Sequence, residues 1–167
     1  GSGYRYVVLA MLILAYTFYR RLFGRPVALA SLVLLAIPMP EVLLWSAMPN
    51  HYPTVMFLLA AILATAARNA DEAAHPLDAG FFGAAVGLGI WHSLLTVSVS
   101  APAAIWLAWR RPDLLRARRW LVSAAAGLVL GAAPLIAFNV RYPFGSFARN
   151  VALSTPGSWS ASWSNFV

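Results

Sequence analysis

Seven polar residues lie in or beside the long apolar stretches of this 167-residue chain, and their groups suit hydrogen bonding to a sugar or a phosphate. They are Glu41, Asn50, His51, Tyr52, His92, Asn139 and Arg141. Amide, imidazole and phenol groups can bond sugar hydroxyls, whereas a guanidinium can hold a phosphate through two parallel hydrogen bonds. The three histidines are far apart and none belongs to a metal-ligand spacing, so the sequence predicts no metal site.

Glu41 is the only acid inside an apolar stretch. A carboxylate in lipid is costly, so it normally faces a cavity or a charged partner. It follows Pro38 and Pro40, which interrupt helical hydrogen bonding and therefore also need a polar surround. Two interpretations stay open: a functional carboxylate at membrane depth, or a carboxylate that water solvates at the external interface.

Asn50, His51 and Tyr52 form a short polar segment between Pro49 and Pro53. The two prolines limit the flexibility of this segment, so its side chains could bind a sugar hydroxyl or a phosphate at the membrane surface. An ordinary interfacial turn uses the same residue types, and the residues alone favour the turn.

His92, Asn139 and Arg141 lie near the predicted ends of later apolar stretches. A histidine at membrane depth must be hydrogen-bonded, so His92 is predicted either to line a polar cleft or to bond a neighbouring carbonyl. Arg141 falls on the side of the membrane that is poor in cations, beside Asn139. Its guanidinium suits a phosphate or pyrophosphate, and it suits a lipid headgroup or Glu41 equally well.

The elements that must position these residues are membrane helices. The chain is 61% hydrophobic and 10% charged, with a mean hydropathy of +0.72, whereas soluble domains are roughly 25% charged. There is no cysteine, so disulfides and thiolate metal sites are excluded. The absence of lysine and the many alanines suggest a bacterial genome rich in G and C.

Nine of the twelve arginines lie in three clusters separated by apolar stretches. These arginines are Arg20, Arg21, Arg25, Arg68, Arg110, Arg111, Arg116, Arg118 and Arg119. Cytoplasmic loops of membrane proteins carry such an excess, which accounts for the net charge of +7 and argues against a nucleic-acid partner.

The predicted fold is therefore all-α: a polytopic transmembrane bundle of about six segments in one domain, residues 1–167. The segments are residues 4–19, 26–45, 52–67, 80–95, 98–109 and 120–138, and residues 139–167 form an external segment. The apolar stretch 80–109 has arginines at the same side on both its flanks, so we expect it to reverse near residues 96–102.

Two further patterns concern packing and anchoring. Gly83 and Gly87, and again Gly127 and Gly131, are small residues four apart, which predicts close approach of helix backbones. Several tryptophans near span ends predict an aromatic belt at the membrane interface. They are Trp45, Trp91, Trp106, Trp109 and Trp120.

The order of motifs resembles the middle of bacterial GT-C glycosyltransferases of family 39, the protein-mannosyltransferase-like enzymes. The motifs are residues 20–25, 43–45, 51–53, 87–92 and 138–145, and the similarity covers most of residues 17–148. The stretch Gly-Leu-Gly-Ile-Trp-His at 87–92 is similar to the family's Gly-Leu-Gly-x-Trp-Thr-His-Pro, with Ser93 in place of the proline. Family members carry an acidic motif in an earlier external loop, so we expect the catalytic base upstream of Tyr4 and do not give that role to Glu41.

The resemblance implies a multi-pass protein of the bacterial inner membrane. Its activity would be transfer of a sugar from a polyprenyl-phosphate carrier to an acceptor at the external face. The polyprenyl-phosphate-linked sugar would be the donor substrate and membrane lipid a partner, with no other cofactor. His51 and Tyr52 would contact the sugar, and Arg141 would stabilise the phosphate.

Two other classes stay open. A proline-broken helix with an intramembrane acid also suits a membrane transporter or lipid flippase. A non-catalytic membrane subunit is the third interpretation. The sequence predicts no oligomeric state and does not identify the sugar, the carrier or the acceptor.

Overall fold

The computed structural model describes residues 2–37 and 52–142, and within these residues it contains seven α-helices and no strand. The all-α prediction is confirmed for them. The helices are α1 Ser2–Phe23, α2 Arg25–Ala36, α3 Tyr52–Asn69, α4 Pro76–His92, α5 Val97–Arg110, α6 Arg118–Gly131 and α7 Ala133–Arg141. Glu41, Asn50 and His51 lie outside the described residues.

Contacts divide the chain into two compact units, residues 1–132 and 133–167. Helices α1 to α6 belong to the first unit and α7 to the second. The break between α6 and α7 falls at Ala132, two residues before Pro134. A proline cannot donate to the preceding helical turn and its ring clashes with that turn's carbonyl, so a continuous helix ends there.

Helix α1 is, over Tyr6–Phe23, long and apolar enough to cross a membrane by itself. Among the described residues, α6 and α7 pass the same test when they are taken together as one broken span. Shorter apolar helices account for Arg25–Leu35, Pro53–Asn69 and Leu94–Arg110. By length and composition alone, residues 2–37 and 52–142 thus hold one or two candidate spans, and the arrangement in six segments stays a prediction.

The chain reverses between α1 and α2 at a single residue, Gly24. Its φ of +85° lies in the left-handed region, which glycine enters without the steric cost of a Cβ. Pro26 lies in the first turn of α2, where a missing N–H costs nothing.

The apolar stretch 80–109 folds as two helices with a reversal at residues 93–96. The backbone of Ser93 is extended, and its hydroxyl accepts a bond of 3.2 Å from the Leu95 N–H. Thr96 is fully buried and donates a bond of 2.6 Å to the Ser93 carbonyl. The reversal therefore begins before the predicted interval of 96–102, and Pro102 lies inside α5.

Helices α4 and α6 pack with their backbones in direct contact. A Cβ added to Gly83 would lie 2.8 Å from the Leu128 backbone nitrogen, and one added to Gly87 would lie 2.7 Å from that of Ala132. Both separations are shorter than real Cβ atoms show. The close packing predicted from the spaced glycines is confirmed. Helices α3, α4 and α5 meet in an apolar cluster of Ile62, Ala66, Phe82, Ala85 and Ala103.

Candidate functional site

The three arginine clusters meet at Asp71, in the loop between α3 and α4. The Asp71 carboxylate forms ion pairs with Arg21 and, at 3.6 Å, with Arg68. Its backbone carbonyl accepts a hydrogen bond of 2.5 Å from Arg111. One end of the first unit is thus cationic, and we call it the arginine end.

A buried amide ties three segments together just inside the arginine end. Asn69 is fully buried at the C-terminus of α3, and its Nδ2 donates to the carbonyls of Thr65 at 2.8 Å and Asp78 at 2.9 Å. Its Oδ1 accepts from the Trp120 indole at 2.9 Å. The amide nitrogen thus donates two hydrogen bonds and the amide oxygen accepts one. This matters because an unpaired buried polar group is costly.

Trp120 corrects one prediction from the sequence. Its place near a predicted span end suggested an interfacial anchor, but its side chain is only 8% exposed and packs with Ala79, Leu107 and Leu114. Trp109, by contrast, is 84% exposed and keeps the character of a belt residue. Hydropathy could not separate the two, because burial depends on which helix faces the indole.

His75 and Asp78 form a reciprocal cap on α4. The His75 ring nitrogen accepts from the Leu77 N–H at 3.2 Å, and the Asp78 carboxylate accepts from the His75 N–H at 2.8 Å. Asp78 also bonds the Arg68 guanidinium at 3.3 Å. These groups satisfy backbone donors that every helix N-terminus leaves open, so they start α4 at the arginine end.

Arg111 and Asp113 form a two-bond ion pair in the loop between α5 and α6. The Arg111 Nε lies 2.9 Å from one carboxylate oxygen and its Nη2 lies 2.8 Å from the other. Hydrogen bonding from Arg111 lowers the pKa of Asp113, and hydrogen bonding to Asp113 raises the pKa of Arg111. Both groups are thus fully charged at neutral pH.

Tyr52 and His92 lie at the end of the first unit opposite to the arginine end. Tyr52 is the first residue of α3 and His92 is the last of α4. The bond from Asn69 to the Asp78 carbonyl joins the end of α3 to the first turn of α4, so the two helices run antiparallel. The His92 ring lies 6.2 Å from the ring of Trp91, between centroids. The structure therefore brings these two predicted site residues to one end of the helix pair.

Asn139 and Arg141 lie on α7, in the second unit. The Asn139 amide donates to the Leu135 carbonyl of its own helix at 2.9 Å. Arg141 is exposed, with its guanidinium carbon 5.8 Å from the centroid of the Tyr142 ring, within the range of a cation–π contact. Residues two apart on a helix do not share a face, so α7 does not bring these two side chains together.

The part of the chain that the structure describes holds no group of three or more His, Cys, Asp or Glu side chains that could bind a metal ion. Three of its acidic residues, Asp71, Asp78 and Asp113, form the ion pairs and the helix cap at the arginine end. The residues that sequence reasoning missed are Asn69 and Asp71. Their signal is a polar pair directly after the apolar run of α3, beside the Arg68 that ends it.

The chain matches the family described as dolichyl-phosphate-mannose-protein mannosyltransferase over residues 5–138. No curated protein and no solved structure shows significant similarity to the chain. The match covers most of the sequence, from the first turn of α1 into α7, and confirms the resemblance to membrane-embedded GT-C glycosyltransferases. The chain belongs to the dolichyl-phosphate-mannose-protein mannosyltransferase family.

Proposed function

We propose that this chain is part of a glycosyltransferase that moves a sugar from a polyprenyl-phosphate carrier to an acceptor at the external face of the bacterial inner membrane. Membership of the family supports the donor class. The family description names a mannose carrier and a protein acceptor, so polyprenyl-phosphate mannose is the first donor to test.

The observation that carries the proposal is that the arginines and the polar site residues lie at opposite ends of the first unit. Arg21, Arg68 and Arg111 meet at one end, while Tyr52 and His92 lie at the other. Because cytoplasmic loops hold the arginine excess, the arginine end is expected to face the cytoplasm. Tyr52 and His92 would then face the side where a lipid-linked donor is used after it has crossed the membrane.

The proposed reaction is a displacement at the anomeric carbon. A base removes the proton from an acceptor hydroxyl, and the acceptor oxygen bonds to the anomeric carbon while the bond from that carbon to the carrier phosphate breaks. The phosphate leaves with the bonding electrons. Arg141 would stabilise this negative charge by charge-assisted hydrogen bonds. We do not assign the role of the base to any residue that the structure describes.

His51, Tyr52, Asn50 and His92 are proposed to bind the sugar through hydroxyl contacts. Glu41 and Asn139 are proposed as further substrate-binding residues. A role of the chain as a transporter or a non-catalytic subunit has no support from the family match.

The experiment is an assay of the intact protein as its gene encodes it. Membranes holding the wild type or Arg141→Ala are incubated with a polyprenyl-phosphate sugar that carries a radiolabel, and transfer to endogenous acceptors is counted. Loss of one charge-stabilising donor is expected to slow turnover by about 100-fold, with partial recovery in Arg141→Lys. Arg25→Ala, at the arginine end, is the matched control and should keep full turnover. Equal turnover in Arg141→Ala and wild type would remove Arg141 from the mechanism, and no transfer by wild type from any polyprenyl-phosphate sugar would overturn the proposal.

A further inference from the structure

An apolar groove runs between α5 and α6, with α4 as its floor. Its volume is about 360 Å³, and its floor is formed by Phe82, Gly83 and Val86. Helices α5 and α6 make no backbone contact with each other, so the space between them is not closed by helix packing. The volume falls in the range of roughly 300–1,000 Å³ that small-molecule sites occupy.

The space between α5 and α6 stays open because the residues that line it on both helices include several alanines. Ala101, Ala104 and Ala108 line it from α5, at a spacing of three and four residues that places them on one helix face. Ala124 and Ala125 line it from α6. Short side chains on both walls leave an unfilled apolar channel instead of an interdigitated core.

The groove reaches the arginine end, where Arg111, Leu114 and Leu115 line it. Arg111 lines the groove three residues after Ala108, and Arg118 lies seven residues before Ala125, two turns earlier on α6. Residues 110–119 hold five arginines against the single acid Asp113. In the ranges 2–37 and 52–142, Arg110, Arg118 and Arg119 form no ion pair.

We propose that the α5–α6 groove binds one acyl chain of an anionic glycerophospholipid, whose phosphate lies between Arg111 and Arg118. Apolar walls suit the acyl chain. The guanidinium of Arg118, which forms no ion pair within residues 2–37 and 52–142, suits the phosphate, and Arg111 adds a second guanidinium that is shared with Asp113. Trp109, exposed on the last turn of α5, fits the depth at which headgroups begin. A further protein helix in the groove would supply the apolar contact but no negative charge for Arg118. This site lies at the end opposite to Tyr52 and His92, so it is separate from the donor site proposed above.

The test is photo-crosslinking in nanodiscs that contain the intact protein. The probe is phosphatidylglycerol with a diazirine in one acyl chain, and the comparison probe is phosphatidylcholine with the same chain. Crosslinked peptides are identified by mass spectrometry. We expect phosphatidylglycerol to label the peptides of α5 and α6 that line the groove, and phosphatidylcholine to label them at least about fivefold less.

Four variants separate the parts of the proposal. Ala104→Leu fills the groove and should abolish labelling, whereas Ala30→Leu, on an exposed position of α2, should not. Arg118→Gln should lower phosphatidylglycerol labelling by about fivefold, and Arg25→Gln, at the same end but off the groove, should leave it unchanged.

Asp113→Asn provides a gain that misfolding cannot imitate. It frees Arg111 from its ion pair and should raise phosphatidylglycerol labelling by about twofold or more. Equal labelling by the two lipids, or unchanged labelling in Ala104→Leu, would overturn the proposal. Labelling of the groove by neither lipid would do so as well, because it would mean that another protein segment covers the groove.

Discussion

The indole of Trp120 donates a hydrogen bond of 2.9 Å to the buried amide oxygen of Asn69, fifty-one residues earlier in the chain. The same amide bonds the carbonyl of Asp78 in the first turn of α4. One side chain thus links α3, α4 and α6 and fixes their positions along the helix axes relative to each other at the arginine end. Asn69 and Trp120 are therefore the places where a small change should have a large effect.

Trp120→Phe should destabilise the protein by about 1–3 kcal/mol, because it leaves the Asn69 oxygen buried without a donor. Asn69→Ala should cost at least as much, since it removes three hydrogen bonds together. The double variant should cost less than the sum of the two. Unfolding in detergent, followed by circular dichroism, measures these values. Trp109→Phe is the control and should cost little, because that indole is exposed; additive costs at positions 69 and 120 would contradict the coupling.

Gly127→Ala should destabilise the packing of α4 and α6 by about 1–3 kcal/mol or more, because overpacking forces helices apart. A Cβ there would meet the backbone of Gly80, and it would lie 3.0 Å from the Ala84 nitrogen. Thermal inactivation of the protein in detergent is the measurement. The neighbouring Ala126→Leu adds more atoms at an exposed position and should be tolerated. Tolerance of Gly127→Ala would show that the two backbones are farther apart.

The gathering of arginines at one end of the first unit predicts the orientation of the chain in the membrane. The sequence contains no cysteine, so a single introduced cysteine can be labelled without background. We expect Leu94→Cys, in the turn between α4 and α5, to react with a membrane-impermeant maleimide from outside intact cells. Ala117→Cys, in the loop at the arginine end, should react only after the cells are opened. Reaction of both from the same side would be incompatible with antiparallel α4 and α5 segments that cross the membrane.

The ion pair of Arg111 and Asp113 predicts a pH dependence at the acidic end of the scale. The folded state lowers the pKa of Asp113 below its ordinary value of 3.8, so the ion pair stabilises the protein above that value. This stability is lost as the pH falls through the lowered pKa. The midpoint of unfolding in detergent should therefore fall less in Asp113→Asn than in wild type between pH 5 and about pH 2. At neutral pH the variant should differ little, because an exposed ion pair contributes little; a large difference at pH 7 would indicate another role for Asp113.

The helical class, the glycine contacts of α4 with α6 and the common end of the arginine clusters could all be predicted from the sequence. Each depends on a local or additive property. Apolar length and composition indicate membrane helices, glycines four apart present one bare face, and arginines accumulate on one side of the membrane. The family resemblance could be predicted too, because the motifs keep their order along the chain.

The tertiary structure alone decided which polar residues meet. Asn69, Asp71, Asp78 and Trp120 are spread over fifty-two positions, and no periodicity links them. Trp120 and Trp109 have the same hydropathy, yet one is buried beside Asn69 and the other is exposed. The groove between α5 and α6 likewise arises from two alanine faces that are apart in the sequence and adjacent only in the fold. Hydropathy and spacing depend on neighbours along the chain, whereas burial and hydrogen bonding depend on which helix faces which, and only packing determines that.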